Sequence, residues 1–398
     1  MLNELKKFTS QFYIKILIFV VIVASIVVSI VSIKSFSEIR SIDDTNYLQG
    51  KDAINLAQER YNNSKGILTT DKLNEALKYY KSMPSDNIAY LETDIKYPGI
   101  FSLMNQAYTS DDAEERDKFS KLNNMNDFYQ RNTALITNKL NDSKNTYALW
   151  EQNVILEKAA IIDKPFNIEF SEQWKKVYPA LTFCFIIIAI SAIVIGSNLF
   201  SYERDKNMDI LLVSLGKKSL KNIGISKIEA LLTFLTVESL AGVLIISIII
   251  FSNTGISSWN SQIQIEYFTS IYNLTFGQAY LLSIFTGWIS ILAIGSFCAA
   301  LNAFIQESYL TLVLGFIVSF IPLVITRLNM FPIIITKFFK MQPINAFFIS
   351  KNLQSLQIFK FLSFSTLTIT AIIINNIIIL GICIFISPHL FNNRIKNK

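Results

Sequence analysis

Few residues in this 398-residue chain have the type and setting to do chemistry. The first is Glu238, the one charge in an otherwise apolar run from Leu231 to Phe251. On a helix it would lie about 12 Å beyond Ala230, and a carboxylate that deep in a bilayer is either part of a polar pathway or a paired packing group. Asn375-Asn376, adjacent amides in the last apolar run, pose the same choice, with hydrogen bonding between helices or at a subunit contact as the simpler role. The single histidine, His389, follows Pro388 at the end of that run, an interfacial position that suits neither a metal ligand nor a base. Cys184, Cys298 and Cys383 all fall in apolar runs, so no disulfide framework or zinc site is expected in the hydrophilic regions. Gly216-Lys217-Lys218-Ser219 is the nearest approach to a phosphate-binding loop. It lacks the upstream glycine and carries Lys where a hydroxyl should follow Gly-Lys. With no G-x-S-x-G and no H-E-x-x-H, the chain is expected to be no enzyme, with no catalytic residue, no metal and no cofactor of its own.

Lipid must be part of the solvent that positions these groups. The residues are 51% hydrophobic and the apolar ones gather in blocks. A bilayer core about 30 Å thick is crossed by roughly 20 apolar residues in a helix. Six stretches qualify, at 13–33, 177–200, 229–252, 276–304, 308–326 and 365–388. The first follows Lys6, Lys7 and Lys15 like a secretory signal, but it is too long for a signal core and lacks a small-residue cleavage site, so it reads as a retained anchor. The expected fold is an all-α polytopic membrane protein of six transmembrane helices, with a mainly helical extracellular domain, 34–176, inserted between the first two.

Basic residues in short loops set the orientation. They concentrate in the amphipathic N-terminal segment 1–12 and its flank, in the loop 201–228 (Arg204, Lys206, Lys217, Lys218, Lys221, Lys227) and in the tail 389–398. With six spans these share one side, the expected cytoplasmic one. The loop 253–275 has only Glu266, as an external loop should. The segment 327–362 falls outside in this scheme yet carries Arg327, Lys337, Lys340, Lys351 and Lys360 without an acid. Its apolar pieces are interrupted at Pro332 and Pro343, which points to short re-entrant or interfacial helices. Within the inserted domain acids and bases nearly balance, so nucleic acid is not an expected partner. Leu73, Ala76, Leu77 and Tyr80 have helical spacing behind Thr70-Asp71, and Met83-Pro84 closes that helix. A second helix is expected from Ser110-Asp111-Asp112 through Phe119, Leu122, Tyr129 and Ile136, with Pro98-Gly99 a turn between the two. Gly287 and Gly295 are expected to admit close helix contact.

The loop after the second span carries the strongest pattern. It reads Glu203-Arg204, then Asp209, Leu211-Leu212 and Ser214, then Lys227 at the opening of the third span. This resembles the membrane (permease) subunit of ATP-binding cassette (ABC) transporters of the type-two exporter family, in the subgroup with a large first external loop. The resemblance implies that Glu203, Arg204, Asp209, Leu211, Leu212, Ser214 and Lys227 couple the chain to a separate nucleotide-binding subunit, which would hold the ATP and magnesium. It also implies a second permease subunit, identical or related, surrounded by membrane lipid in a bacterial cell membrane, with both termini cytoplasmic. The expected function is efflux of a hydrophobic or amphipathic substrate, such as a peptide, an antimicrobial or a lipid-like molecule. Glu238, Asn375 and Asn376 are then candidates for the translocation pathway. Two other functions fit part of the pattern: a mechanotransmission subunit that signals to an external partner, which usually has four spans, and a membrane-anchored receptor or sensor, which needs only two.

Overall fold

The computed structural model describes residues 2–42, 46–108, 118–142, 147–205, 217–328, 331–361 and 364–396. Six helices are long and apolar enough to cross a membrane: span 1, Phe12–Lys34; span 2, Glu172–Asn198; span 3, Leu220–Thr254; span 4, Phe276–Ile305; span 5, Ser308–Leu328; and span 6, Thr368–Asn392. The chain is therefore a multi-pass, all-α membrane protein. Span 3 belongs to a helix that already begins at Lys217 and runs for 38 residues. At 1.5 Å per residue it is about 57 Å long, so it projects well beyond a 30 Å hydrocarbon layer.

Spans 2 and 4 form the centre of the bundle, each with 67% of its apolar window buried, against 17% for span 1 and 22% for span 5. Small residues make that centre possible. A Cβ on Gly196 of span 2 would stand 2.6 Å from the Gly295 carbonyl of span 4. One on Gly287 would stand 2.3 Å from the Phe185 ring, and one on Gly295 would meet Leu235 at 2.5 Å. Both glycines expected to admit close contact therefore do so. Gly287→Ala should lower the melting temperature of the detergent-solubilised protein, by overpacking worth about 1–3 kcal/mol, while the same change at Gly381, which has open space around it, should not.

The inserted region is mainly helical. Two-residue antiparallel ribbons pair Ser37–Glu38 with Leu48–Gln49, and Gly66–Ile67 with Asn167–Ile168, so the second joins the start of the region to its end. The helix Thr70–Lys81 forms with Leu73, Ala76, Leu77 and Tyr80 buried, and its cap is Thr69, one residue earlier than expected, whose hydroxyl accepts from the Lys72 amide. Gly99 makes the turn at φ +76°. The second expected helix is not continuous. Its start at Ser110 to Asp112 lies outside the described residues, and its remainder divides into Lys118–Lys121 and Phe128–Asn141. Asparagine side chains take over the backbone in between: Asn74 accepts from the Met125 amide, and Asn124 accepts from the Asn126 amide.

The segment after span 5 folds into Ile333–Lys340, a 3-10 turn Pro343–Phe347 and a short helix Ile349–Leu353. It then makes an antiparallel hairpin, Ile358–Phe361 with Phe364–Leu367. The hairpin departs from the expected all-helical reading and moves the start of span 6 from 365 to Thr368, because aromatic and aliphatic residues alternating with polar ones favour a strand. This segment lies on the same side of the bundle as the inserted domain. Lys337 pairs with Glu151, Ser270 donates to the Leu353 carbonyl, and Lys360 lies over the Trp150 ring. It also reaches the spans themselves, where Thr182 donates to the Phe347 carbonyl and Asn375 to the Met341 carbonyl.

Candidate functional site

Two polar constructions interrupt the apolar bundle. The first is a joint at the end where span 2 leaves the bundle, away from the inserted domain. Span 2 ends at Asn198, and a one-turn helix, Tyr202–Asp205, carries Glu203 and Arg204. Between them Phe200 and Ser201 turn both backbone amides onto the Asn302 side-chain carbonyl of span 4, at 2.7 and 3.0 Å. The Asn302 amide in turn donates to Ser201 and Thr311, and the Ser201 hydroxyl meets that of Ser308 at 2.6 Å, so one buried side chain joins spans 2, 4 and 5. Arg204 donates to the carbonyl of Gln306, which holds the left-handed turn between spans 4 and 5 at φ +60°.

Lys227 completes the joint. Its long chain is 2% exposed, and Nζ donates to the Leu199 carbonyl at 2.8 Å. A cation there complements the carbonyl-rich end of the span 2 helix and ties it to span 3. The rings of Phe200 and Phe391 both stand 5.9 Å from the ammonium, which brings span 6 into the same contact. Of the residues expected to act in coupling, Arg204 and Lys227 are thus part of one joint, and Glu203 occupies the short helix that leaves it. Asp209, Leu211, Leu212 and Ser214 lie outside the described residues. Asn302 is the residue that sequence reasoning missed. An asparagine near the end of an apolar run, just before Gln306, was the available signal.

The second construction is a seam of polar contacts between spans. Glu238 of span 3 is 6% exposed and both its oxygens accept from the Ser191 hydroxyl of span 2, at 3.0 and 3.1 Å. Ser25 of span 1 meets Cys184 of span 2 at 3.5 Å, and a Cβ on Gly242 of span 3 would approach both. The indole of Trp288 in span 4 donates to Thr236 of span 3 at 3.1 Å. Asn375 and Asn376 do not share this seam. Asn376 donates to Ser290 of span 4 while its Oδ1 is buried with no partner among the described residues, and Asn375 donates to the Met341 carbonyl.

On the side of the inserted domain, the loop between spans 3 and 4 is held against that domain. Asn132 donates to the Phe268 carbonyl, Gln106 accepts from the Phe268 amide at 3.0 Å, and Asn273 donates to Asp163 at 3.1 Å. Phe268 packs its ring on Phe128 at 5.1 Å. At the head of span 2, Lys175 bridges Glu172 at 2.9 Å and Glu266 at 3.3 Å. Burial pushes the Glu266 carboxyl up from 4.5 to about 7, with Glu172 adding to the rise and Lys175 opposing it. A raised carboxyl pKa means the folded state holds its proton more tightly than the unfolded one. The penalty for the buried anion is absent below about 4.5, grows from there to 7 and is constant above. Glu266→Gln should therefore gain in melting temperature relative to the parent as pH rises through that window.

Among the described residues no group of three or more His, Cys, Asp or Glu could hold a metal ion, and the three cysteines are free and buried. Comparison of the chain with protein-family models, with curated proteins and with solved structures gives no match.

Proposed function

We propose that this chain is the permease subunit of an ABC-type transporter. A separate nucleotide-binding subunit would dock on the loop 201–228 and supply ATP hydrolysis to drive export of a hydrophobic or amphipathic substrate. On this reading the joint is the cytoplasmic side, both termini share it, the inserted domain is extracellular, and a second identical or related permease subunit completes the pore in a bacterial plasma membrane.

The observation that carries the reading is the joint. The helix bearing Glu203 and Arg204 is continuous with a joint that reaches spans 3 to 6 through buried Lys227 and Asn302 and through the exposed Arg204. A displacement of that short helix would pass through these contacts to the bundle, which is what an ATP-driven partner requires of its docking point. The ordered acid, Leu-Leu and Lys pattern of the loop supports the same assignment. Combined charge reversal, Glu203→Lys with Arg204→Glu, should weaken the pairing with the ATPase or its stimulated turnover. Pairing and turnover unchanged by both reversals would remove the loop from the coupling role.

One observation favours a second reading, mechanotransmission to an external partner. The inserted domain is bonded to both the 255–275 loop and the segment after span 5, so motion of the spans would reach it directly. Movement of a labelled substrate into sealed vesicles distinguishes the two, because only the transporter moves cargo.

A further inference from the structure

Span 5 and the re-entrant segment enclose a cleft of about 260 Å³, far more than the roughly 10–15 Å³ that one water needs. Its lining carries Arg327, Lys340 and Lys351, with the polar side chains of Thr336, Asn345 and Asn352 between them, and no acid. Among the described residues none of these three cations is in an ion pair, whereas the neighbouring Lys337, outside the lining, is paired with Glu151. Lys340 donates to the Ser355 hydroxyl at 2.7 Å. Arg327 and Lys351 both lie against the Phe348 ring, at 5.8 and 5.6 Å from its centroid. The two contacts bring like charges to one ring, and an anion at the cleft would be attracted to both. Burial, with Lys337 adding to it, pulls the Lys340 ammonium down to about 8, the signature of a cation short of a counter-charge.

A second, apolar cleft of about 130 Å³ lies alongside, lined by Phe297, Val318, Pro322, Ile344 and Ile379. The two linings adjoin along span 5, with Pro322 in the apolar cleft and Leu323 in the cationic one. The same turn of the re-entrant segment walls both, with Asn345 in one and Ile344 in the other. A charged pocket next to an apolar one, at the end of a membrane span, matches the two halves of an amphiphile.

We propose that the paired clefts bind a phosphate-bearing amphiphile, with its phosphate between Arg327, Lys340 and Lys351 and an acyl chain in the apolar cleft along span 5. The assignment does not depend on the transport reading. The bidentate fork of Arg327 and the two ammonium groups suit a phosphate oxygen set, and Asn345 and Thr336 can supply neutral donors. The test uses the full chain in a neutral maltoside detergent, titrated calorimetrically with short-chain phosphatidylglycerol, with the matching diacylglycerol that lacks phosphate, and with inorganic phosphate. The phospholipid should bind. Arg327→Gln with Lys351→Gln, both at exposed positions, should weaken it by about tenfold or more, the loss of at least one charge-assisted hydrogen bond. Val318→Trp, also at an exposed position and filling the apolar cleft, should weaken the phospholipid but not inorganic phosphate, and Lys360→Gln should change neither. Inorganic phosphate binding as tightly as the phospholipid would overturn the acyl half. Diacylglycerol binding equally well, no phospholipid binding, or equal binding by the parent and the double variant would overturn the phosphate site.

Discussion

Asn302→Leu is expected to be the most destabilising single change in the bundle outside the glycine contacts. The side-chain carbonyl of Asn302 is the acceptor for the amides of both Phe200 and Ser201, and leucine of similar size leaves both buried donors without a partner. Each such loss costs about 1–3 kcal/mol, so the pair amounts to roughly 2–6 kcal/mol. Asn302→Asp keeps the acceptor and gives up the donor to Ser201 and Thr311, so its loss should be partial. Thermal unfolding of the solubilised variants, followed by tryptophan fluorescence, measures both. A leucine variant as stable as the parent would mean that water reaches this end of span 2, and the joint would lose its rigidity with it.

On the proposed transport function, with Glu238 in the translocation pathway, Glu238→Gln should have the opposite profile, with little effect on folding and a large effect on activity. Its amide oxygen still accepts from Ser191 and its volume is unchanged, so the seam between spans 2 and 3 keeps its packing. What is lost is the ability to ionise. An ionised carboxylate that contacts a polar group of the cargo is worth about 1.5–3 kcal/mol, which corresponds to roughly tenfold to a hundredfold in a rate or affinity that depends on it. ATP-driven transport in reconstituted vesicles should fall by that factor, with expression and melting temperature near those of the parent. Unchanged transport would assign Glu238 to packing alone.

The six spans were legible because an apolar run of sufficient length is a one-dimensional property, and the helix Thr70–Lys81 was legible because its stripe and cap are local. Two of the differences are contacts made over long sequence distances. Asn74 splits the helix expected at Phe119 to Ile136 from 51 residues away, and Asn302 captures the end of span 2 from a hundred. The hairpin at Ile358–Leu367 is local, but its apolar residues straddle the segment expected to form short helices and the expected start of span 6. Within the sites, the chain pattern singled out Arg204, Lys227 and Glu238, yet it grouped Glu238 with Asn375 and Asn376, which face other partners. Hydropathy ranks residues by polarity, and it does not say which polar groups meet.

The sequence pattern at Glu203 and the buried joint behind it make one claim, that an ATPase works this bundle from that end. It is tested most directly by purifying the tagged full chain from its native membrane in mild detergent and identifying its companions by mass spectrometry. A separate chain with a phosphate-binding loop is expected in near-equal amount, with ATP turnover in the purified complex. A folded chain that emerges with no nucleotide-binding companion and no ATP turnover would contradict it.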